Sequence, residues 1–364
     1  MRGRNSVVVL LALALAGCGA TDQPTAPAQQ PDFVKHANAV DVDRWDGQPS
    51  ATSGINHLVP YGRCALGIGV YAGERGPVGT HWAGNADCTS FKLPAQGVAG
   101  LAAVSAVAMP DGSVIGANTV LQRLNADGTV TPLAALPPAS ADSQQGPAEA
   151  RVIVRSGDRL VTGGGHLVGD NPAPLAWTST DGGKTVKPVA VPPVDNYIGA
   201  MAASDNTVLA VEQTAESGRL AIWRSTDSGQ SWQLTELDAK ANPMVANLLR
   251  TPQGWLIVGT GEDEKDPAGQ PFLASSSDGV SWKVIDTSAV ATGRVVDATA
   301  TTSGELVLVG EGGKSNCEVA WAGAVGSLRR VDLGCGEAAK ATTTLADGRV
   351  IIVGTTSVWV RDVR

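Results

Sequence analysis

The chain has 364 residues and a formal charge of −8, from 27 Lys and Arg against 35 Asp and Glu. An acidic protein is a poor match for nucleic acid, so we expect no nucleic-acid partner. Hydrophobic residues make up 43% and aromatic residues 4%, with 44 Gly and 21 Pro. Many short apolar runs punctuated by Gly, Pro, Asn and Asp predict an all-β chain, long enough for one large domain.

The first 20 residues have the features of a targeting segment. Arg2 and Arg4 precede an apolar run, Val7 to Ala16, that is too short to span a bilayer. The run leads to Leu15-Ala16-Gly17-Cys18, which resembles the bacterial lipobox. That resemblance implies a signal peptide over 1–17 and diacylation of Cys18, which would anchor the protein to a membrane on its extracytoplasmic side. The alternative is an ordinary secretory signal with a chance cysteine.

Residues 18–38 follow as a predicted disordered tether. The stretch 21–30 consists mostly of Thr, Pro, Gln and Ala, which cannot form a hydrophobic core. We therefore expect a single folded domain over 39–364. Loss of residues 1–17 removes two arginines and changes the formal charge from −8 to −10.

One motif organises the rest of the chain. Residues 223–232 read Trp-Arg-Ser-Thr-Asp-Ser-Gly-Gln-Ser-Trp between two apolar strands. Asp227 can accept hydrogen bonds from turn amides, and Gly229 can adopt a positive φ. Trp232 begins the next strand, where its ring can cover the turn.

The motif occurs twice more. Asp278 and Trp282 repeat it in a shorter form, and Asp181 repeats it with Val186 in place of the tryptophan. The pattern Ser-x-Asp-x-Gly-x-x-Trp resembles the Asp-box, or bacterial neuraminidase repeat. That resemblance implies a β-propeller in which Asp181, Asp227 and Asp278 are structural and lie on the face away from the substrate.

A second marker gives the number of blades. Short β-branched runs, most of them closed by Gly, end at positions 73, 116, 163, 211, 259, 310 and 354. A period of 43 to 51 residues predicts seven blades of four antiparallel strands, with six blades as the alternative. The last repeat has only three strands. We expect Ala39–Trp45, which alternates apolar and polar residues, to supply the fourth and close the ring.

The remaining four cysteines fall in pairs. Cys64 and Cys88 lie in the first predicted blade, and Cys317 and Cys335 lie in or beside the sixth. In an exported chain this predicts two disulfides within blades. In the first blade, Asp87 and Phe91 have the Asp-to-Trp spacing of the Asp278 copy, which predicts a degenerate form of the same turn.

Candidate binding residues lie on the opposite face. One long loop there contains His166 and Asp170, and another contains Glu262, Asp263, Glu264 and Asp266. The acidic loop could bind Ca²⁺, but it lacks the alternating Asp spacing of calcium loops, so we favour a solvated loop and expect no metal or other cofactor. The four histidines share no ligand spacing, and we expect His166 to be an ordinary surface residue.

The sialidase catalytic residues are not found. That family uses an Arg-Ile-Pro motif, which is absent, and a tyrosine near the end of the chain, whereas the tyrosines here are at 61, 71 and 197. We therefore expect a monomeric, non-catalytic binding or scaffold module for a protein or a glycan. The alternative is a glycoside hydrolase or lyase of sialidase-like architecture, which needs two facing carboxylates.

Overall fold

The computed structural model describes residues 32–362, apart from 43, 46–47, 50–52, 74–75, 96–97, 139–146, 169–170, 216–217, 241, 264–265 and 313–316. Only the backbone is described for 44–45, 48–49, 73, 262–263 and 266–268. The predicted signal peptide and Cys18 lie outside the described residues. No helix of membrane-spanning length and hydropathy occurs in the part of the chain that is described.

Seven four-stranded antiparallel sheets form a seven-bladed β-propeller, which confirms the predicted blade number and rules out six. The strands of blades one to three are Gly54–Tyr61, Cys64–Gly73, Gly76–Gly84 and Phe91–Lys92; Ser105–Ala108, Val114–Ala117, Val120–Leu124 and Val130–Ala135; and Glu149–Ser156, Arg159–Val168, Asn171–Ser179 and Lys187–Val189. Those of blades four and five are Ile198–Ser204, Thr207–Glu212, Arg219–Ser225 and Gln233–Asp238; and Met244–Thr251, Gly254–Asp263, Asp266–Ser276 and Lys283–Val284. Those of blades six and seven are Arg294–Ala300, Leu306–Glu311, Cys317–Gly323 and Arg329–Cys335; and Ala341–Thr344, Val350–Val353, Val358–Arg361 and Val34–His36. A separate hairpin pairs Arg44–Trp45 with Gln48–Pro49.

The first strand of each blade lines the centre of the ring. First strands of neighbouring blades contact one another around the whole circle, including the contact between blades seven and one. Each first strand starts on one face and turns into the second strand on the other. Because the strands alternate in direction, the turns between third and fourth strands lie on the face opposite to the start of the first strands.

The ring closes through an N-terminal strand, but not the predicted one. Val34–His36 pairs antiparallel with Val358–Arg361, and the buried Phe33 packs between blades six and seven. The strand thus lies within 18–38, the range predicted to be a tether. The expectation that Ala39–Trp45 closes the ring is wrong, since Phe91 of blade one donates to Ala39 O and accepts from Asp41 N. The amides of Ala39 and Val40 donate to Thr356 O, in the turn before Val358–Arg361. The alternation there reflects one buried side against blade one.

Five tryptophans join neighbouring blades. Each lies on a third strand, is buried, and packs against the preceding blade. Each indole Nε1 donates a hydrogen bond to a carbonyl of the linking segment or outer strand before it: Trp82 to Asp41, Trp177 to Pro137, Trp223 to Pro192, Trp321 to Ala291 and Trp359 to Leu333, at 2.7 to 3.0 Å. We call the contact surface between two neighbouring blades a seam. The seam between blades four and five contains Trp255 and Phe272 instead. The core is therefore a ring of seams between blades.

Both predicted disulfides are present, Cys64–Cys88 and Cys317–Cys335. Each lies within one blade. Cys317 and Cys335 are direct register partners on the third and fourth strands of blade six.

Candidate functional site

The three aspartate turns (residues 179–186, 225–232 and 276–282) are closed by their carboxylates. Asp227 Oδ1 accepts hydrogen bonds from the amides of Gln230 and Ser231 and from Ser225 Oγ, at 3.0, 2.9 and 2.7 Å. Gly229 has a φ of +82°, which a side chain would strain. These contacts use the carboxylate within the turn, so the aspartates have a structural role.

The other two aspartate turns have the same chemistry. Asp181 accepts from the amide and hydroxyl of Thr185, and Asp278 accepts from the amides of Val280 and Ser281. Those hydrogen bonds, with the backbone bonds from Thr185 and Ser281 contributing most, lower the pKa of Asp181 and of Asp278 to about 2. Trp232 is buried, whereas Trp282 is half-buried and covers its turn less completely.

Blade one has a related turn with different residues. Asn85 Oδ1 accepts hydrogen bonds from the amides of Thr89 and Ser90. Asn85 is therefore the acceptor of this turn, in place of Asp87, which the spacing predicted. Cys88 has a φ of +59° and stands at the position of the turn glycine. The predicted degenerate turn is present, but its acceptor was assigned to the wrong residue.

Each aspartate turn packs against the preceding blade. Gly229 lies against Val161 and Thr178, which are register partners in blade three. The register partners at the same place in blade five are Leu256 and Ser275. Blade six has no aspartate turn, and a cavity of about 530 Å³ lies there, next to the half-exposed Val325.

The opposite face contains the mouth of the central channel, which is built from β-bulges. The first strands of blades three to six each contain one residue that is skipped in the pairing with the second strand: Arg151, Gly199, Ala246 and Val296. In blades three, five and six the second strand has a glycine there, because a Cβ on Gly164, Gly259 or Gly310 would overlap a backbone carbonyl of the first strand. This close approach explains Gly259 and Gly310, which end two of the β-branched runs. In blades one and three, the equivalent positions are Gly69 and Gly164 rather than the predicted 73 and 163.

The four skipped residues line one cavity of about 400 Å³ at the mouth. Two exposed apolar side chains, Val104 and Met244, contribute to its wall, at 49% and 41% exposure. Backbone hydrogen bonds from Ala150 to Asn118 O and from Val245 to Gln213 O fix neighbouring blades relative to each other at this wall. The shape of the cavity wall is therefore fixed by backbone hydrogen bonds between neighbouring blades.

The charged groups of this cavity are two arginines and one glutamate: Arg151, Arg294 and Glu149. The Arg151 guanidinium donates to Gln213 Oε1 at 2.9 Å and lies 4.4 Å from the ring centre of Tyr197. Arg294 and Glu149 are exposed, and neither has a side-chain hydrogen bond or ion pair within the described residues. The site offers charged groups of both signs to a ligand.

Asp297 lies one position beyond the skipped residue of blade six. Its carboxylate accepts hydrogen bonds from Asn247 Nδ2 and from the amides of Ala298 and Thr342, each within 2.9 Å. Burial raises the pKa of Asp297 to about 6 against the opposing effect of these donors. Asp297 joins blades five, six and seven and does not belong to the cavity lining.

Of the residues predicted to form the binding face, few can be placed. His166 is buried on the second strand of blade three rather than at the surface, and burial lowers its pKa. Glu262, Asp263 and Asp266 lie at the end of the long hairpin of blade five, with only their backbone described. Asp170 and Glu264 lie outside the described residues, so the acidic loop stays a prediction. No cluster of three or more potential metal ligands occurs among the residues described.

Sequence reasoning missed the arginines of the mouth. Arg151 and Arg294 each precede or begin a β-branched stretch at the start of a blade, and no spacing motif marks them. The one available signal was their position just after a predicted link between blades, where a propeller places side chains at the channel.

The closed ring of four-stranded blades around a channel defines the chain as a β-propeller. No protein-family profile and no curated protein sequence matches the chain. Solved propellers match over most of its length. YCF48 bound to D1 peptide has a TM-score of 0.59 at 12% identity, covering 92% of this chain and 97% of that one. Streptogramin B lyase has 0.57 at 14%, covering 90% and 97%, and Kuenenia stuttgartiensis hydrazine synthase has 0.58 at 11%, covering 86% and 96%. At these identities the likeness concerns the fold alone.

Proposed function

We propose that this protein is a lipid-anchored, extracytoplasmic binding module that holds a protein ligand at the channel mouth. The observation that carries the proposal is the cavity of mixed charge, in which Glu149 is the single carboxylate among the described lining residues. A hydrolase of sialidase-like architecture needs two carboxylates that face each other across the substrate. The cavity favours binding over hydrolysis.

The neighbours in fold are consistent with either activity. One of them is described as bound to a peptide and another as a lyase. The choice between them for this chain rests on the cavity and its charges.

The anchoring rests on Leu15-Ala16-Gly17-Cys18. Two acyl chains hold a protein stably on a bilayer, so we expect radiolabelled palmitate to enter the wild type and the protein to sediment with membranes. Cys18→Ala should lose both properties, whereas the matched change Thr21→Ala, in the tether, should keep them. Membrane retention of Cys18→Ala without detergent would contradict the anchor.

The binding role is tested by photo-cross-linking in the native host. A benzophenone amino acid at Val104, in the cavity wall, should capture one defined protein, and the same probe at the exposed Val280, on the opposite face, should not. Met244→Trp, which fills part of the cavity, should abolish the product from position 104. Equal capture from both positions, or turnover of a synthetic glycoside by the purified protein, would overturn the proposal.

A further inference from the structure

Arg151 is oriented before any ligand arrives. Its hydrogen bond to Gln213 and its stacking on Tyr197 fix the guanidinium plane between blades three and four. A guanidinium has five N–H donors, and the contact with Gln213 engages only Nη1. A cation fixed in this way loses little conformational freedom when it binds an anion.

Arg294 supplies a second cation from a different blade. It begins the first strand of blade six, lines the same cavity, and has no side-chain partner within the described residues. The chain has a formal charge of −8, but this cavity has two arginines against one glutamate, so the local charge has the opposite sign, a reversal relative to the whole chain. Such a reversal attracts a negatively charged ligand group.

The rest of the wall distinguishes a peptide from an acidic sugar. Val104 and Met244 present aliphatic and thioether surface to solvent, which suits apolar side chains. Tyr197, which lies behind Arg151 and outside this lining, is half-buried, and its face is already occupied by the guanidinium. Sugar rings commonly stack on exposed aromatic faces, and none is available among the described residues of this wall.

We infer that the mouth binds an acidic peptide segment, with Arg294 and Arg151 on its carboxylates and Val104 and Met244 on its apolar side chains. This inference rests on the proposed function and names the ligand class. Glu149 lies in the same cavity and repels a carboxylate, so it limits how many acidic groups the site accepts.

The test uses the full chain in detergent and three fluorescein-labelled, amidated peptides of sequence LELELEL, LQLQLQL and LKLKLKL, followed by fluorescence anisotropy. Only LELELEL should bind, and added salt should weaken its binding. Arg294→Gln and Arg151→Gln should each weaken it by about tenfold, the usual effect of losing a charge-assisted hydrogen bond. Glu149→Gln should tighten it by roughly threefold, because one repulsion is removed.

The matched control is Arg155→Gln. Arg155 lies at the other end of the same strand as Arg151, is exposed, and donates to Gly157 O on the opposite face. Arg155→Gln removes one positive charge, as Arg151→Gln does, and should leave peptide binding unchanged. Thermal unfolding of every variant verifies the fold.

Equal binding of LQLQLQL, an equal loss in Arg155→Gln, or no binding of LELELEL would overturn the inference. Stronger binding of tetragalacturonic acid than of the peptide would also overturn it, in favour of an acidic glycan. A cross-link at position 104 that survives in the Arg151→Gln, Arg294→Gln double variant would leave the binding role intact and contradict only the acidic ligand. If the probe at position 104 of the otherwise unchanged chain gave no cross-linked product, the proposed function itself would be contradicted.

Discussion

The two faces of the propeller are built by different means. On one face, the aspartate turns are closed by short polar side chains that bond within a few residues of themselves. On the other face, the mouth is formed by skipped residues whose side chains differ from blade to blade: Arg151, Gly199, Ala246 and Val296. The aspartate turns keep similar residues from copy to copy, whereas the skipped positions of the mouth do not, so the mouth is the face whose side chains can specify a ligand.

The closing strand should have the largest effect on both faces at once. Deletion of residues 33–36 removes the outer strand of blade seven and Phe33 from the seam with blade six. We expect loss of cooperative thermal unfolding and aggregation through the exposed edge. Phe33→Ala alone should cost about 3–5 kcal/mol. Val34→Ala, at a 54% exposed site in the same strand, should change little, and similar losses in both variants would contradict the closure.

The seams can be compared with the turns through their tryptophans. Trp223→Ala, in a seam, should cost about 3–5 kcal/mol, measured by urea unfolding. Trp282→Ala should cost clearly less because that ring is only half-buried on its turn. Trp223→Phe loses the bond to Pro192 O and leaves a smaller cavity than alanine does, so it should cost less than Trp223→Ala. If Trp282→Ala proved the more damaging change, the turns rather than the seams would hold the ring together.

The free energy of unfolding should depend on pH through Asp297. The pKa of Asp297 is about 6 in the folded protein, above the ordinary value of 3.8 that applies when it is unfolded. Between pH 4 and 6 this carboxyl therefore holds more proton in the folded state, and its contribution to stability falls as the pH rises, by at most about 3 kcal/mol. Chemical unfolding across this range should show the wild type losing up to about 3 kcal/mol relative to Asp297→Asn as the pH rises, since the other titrating groups are the same in both proteins. A free-energy difference between the two proteins that stays constant from pH 4 to 6, or that shifts in favour of the wild type, would contradict it.

The aspartate turns should respond in the opposite direction and more weakly. A folded pKa of about 2 for Asp181 and Asp278 means that their contribution is complete above the unfolded value of 3.8 and is lost as the pH falls toward 2. The effect should be small because both side chains are solvated. Asp278→Asn should flatten the decrease in unfolding midpoint below pH 4, and Asp195→Asn, at an exposed position outside the aspartate turns, serves for comparison. No difference between the two variants would assign no stabilising charge to the turn.

The sequence predicted what local repetition determines. The blade number follows from short runs that recur at a nearly constant spacing, and both disulfides follow from the blades in which their cysteines fall. The closing strand was missed because its three residues are exposed or half-buried and show no alternation, while the more regular segment after it pairs elsewhere. His166 was misplaced for a related reason, since a polar residue in a glycine-rich stretch gave no sign of burial.

The mouth could not be predicted, since its parts are distant in sequence. Arg151, Gln213 and Arg294 come from three blades and meet only when the ring has formed. Their side chains follow no shared spacing, and the bulge that exposes Arg151 depends on pairing with Gly164. Contacts of this kind are a property of the assembled ring.

The pairing of Val34–His36 with Val358–Arg361 also fixes an order of events during synthesis. Blades one to six each consist of consecutive strands, so each can form soon after its own residues leave the ribosome. Blade seven cannot be completed then, because its outer strand is made first and its partner last. Until Val358–Arg361 has been made, Phe33 has no complete surface to pack against, and blades six and one both lack their contact with a complete blade seven. The ring can therefore close only when the last of its strands has been made.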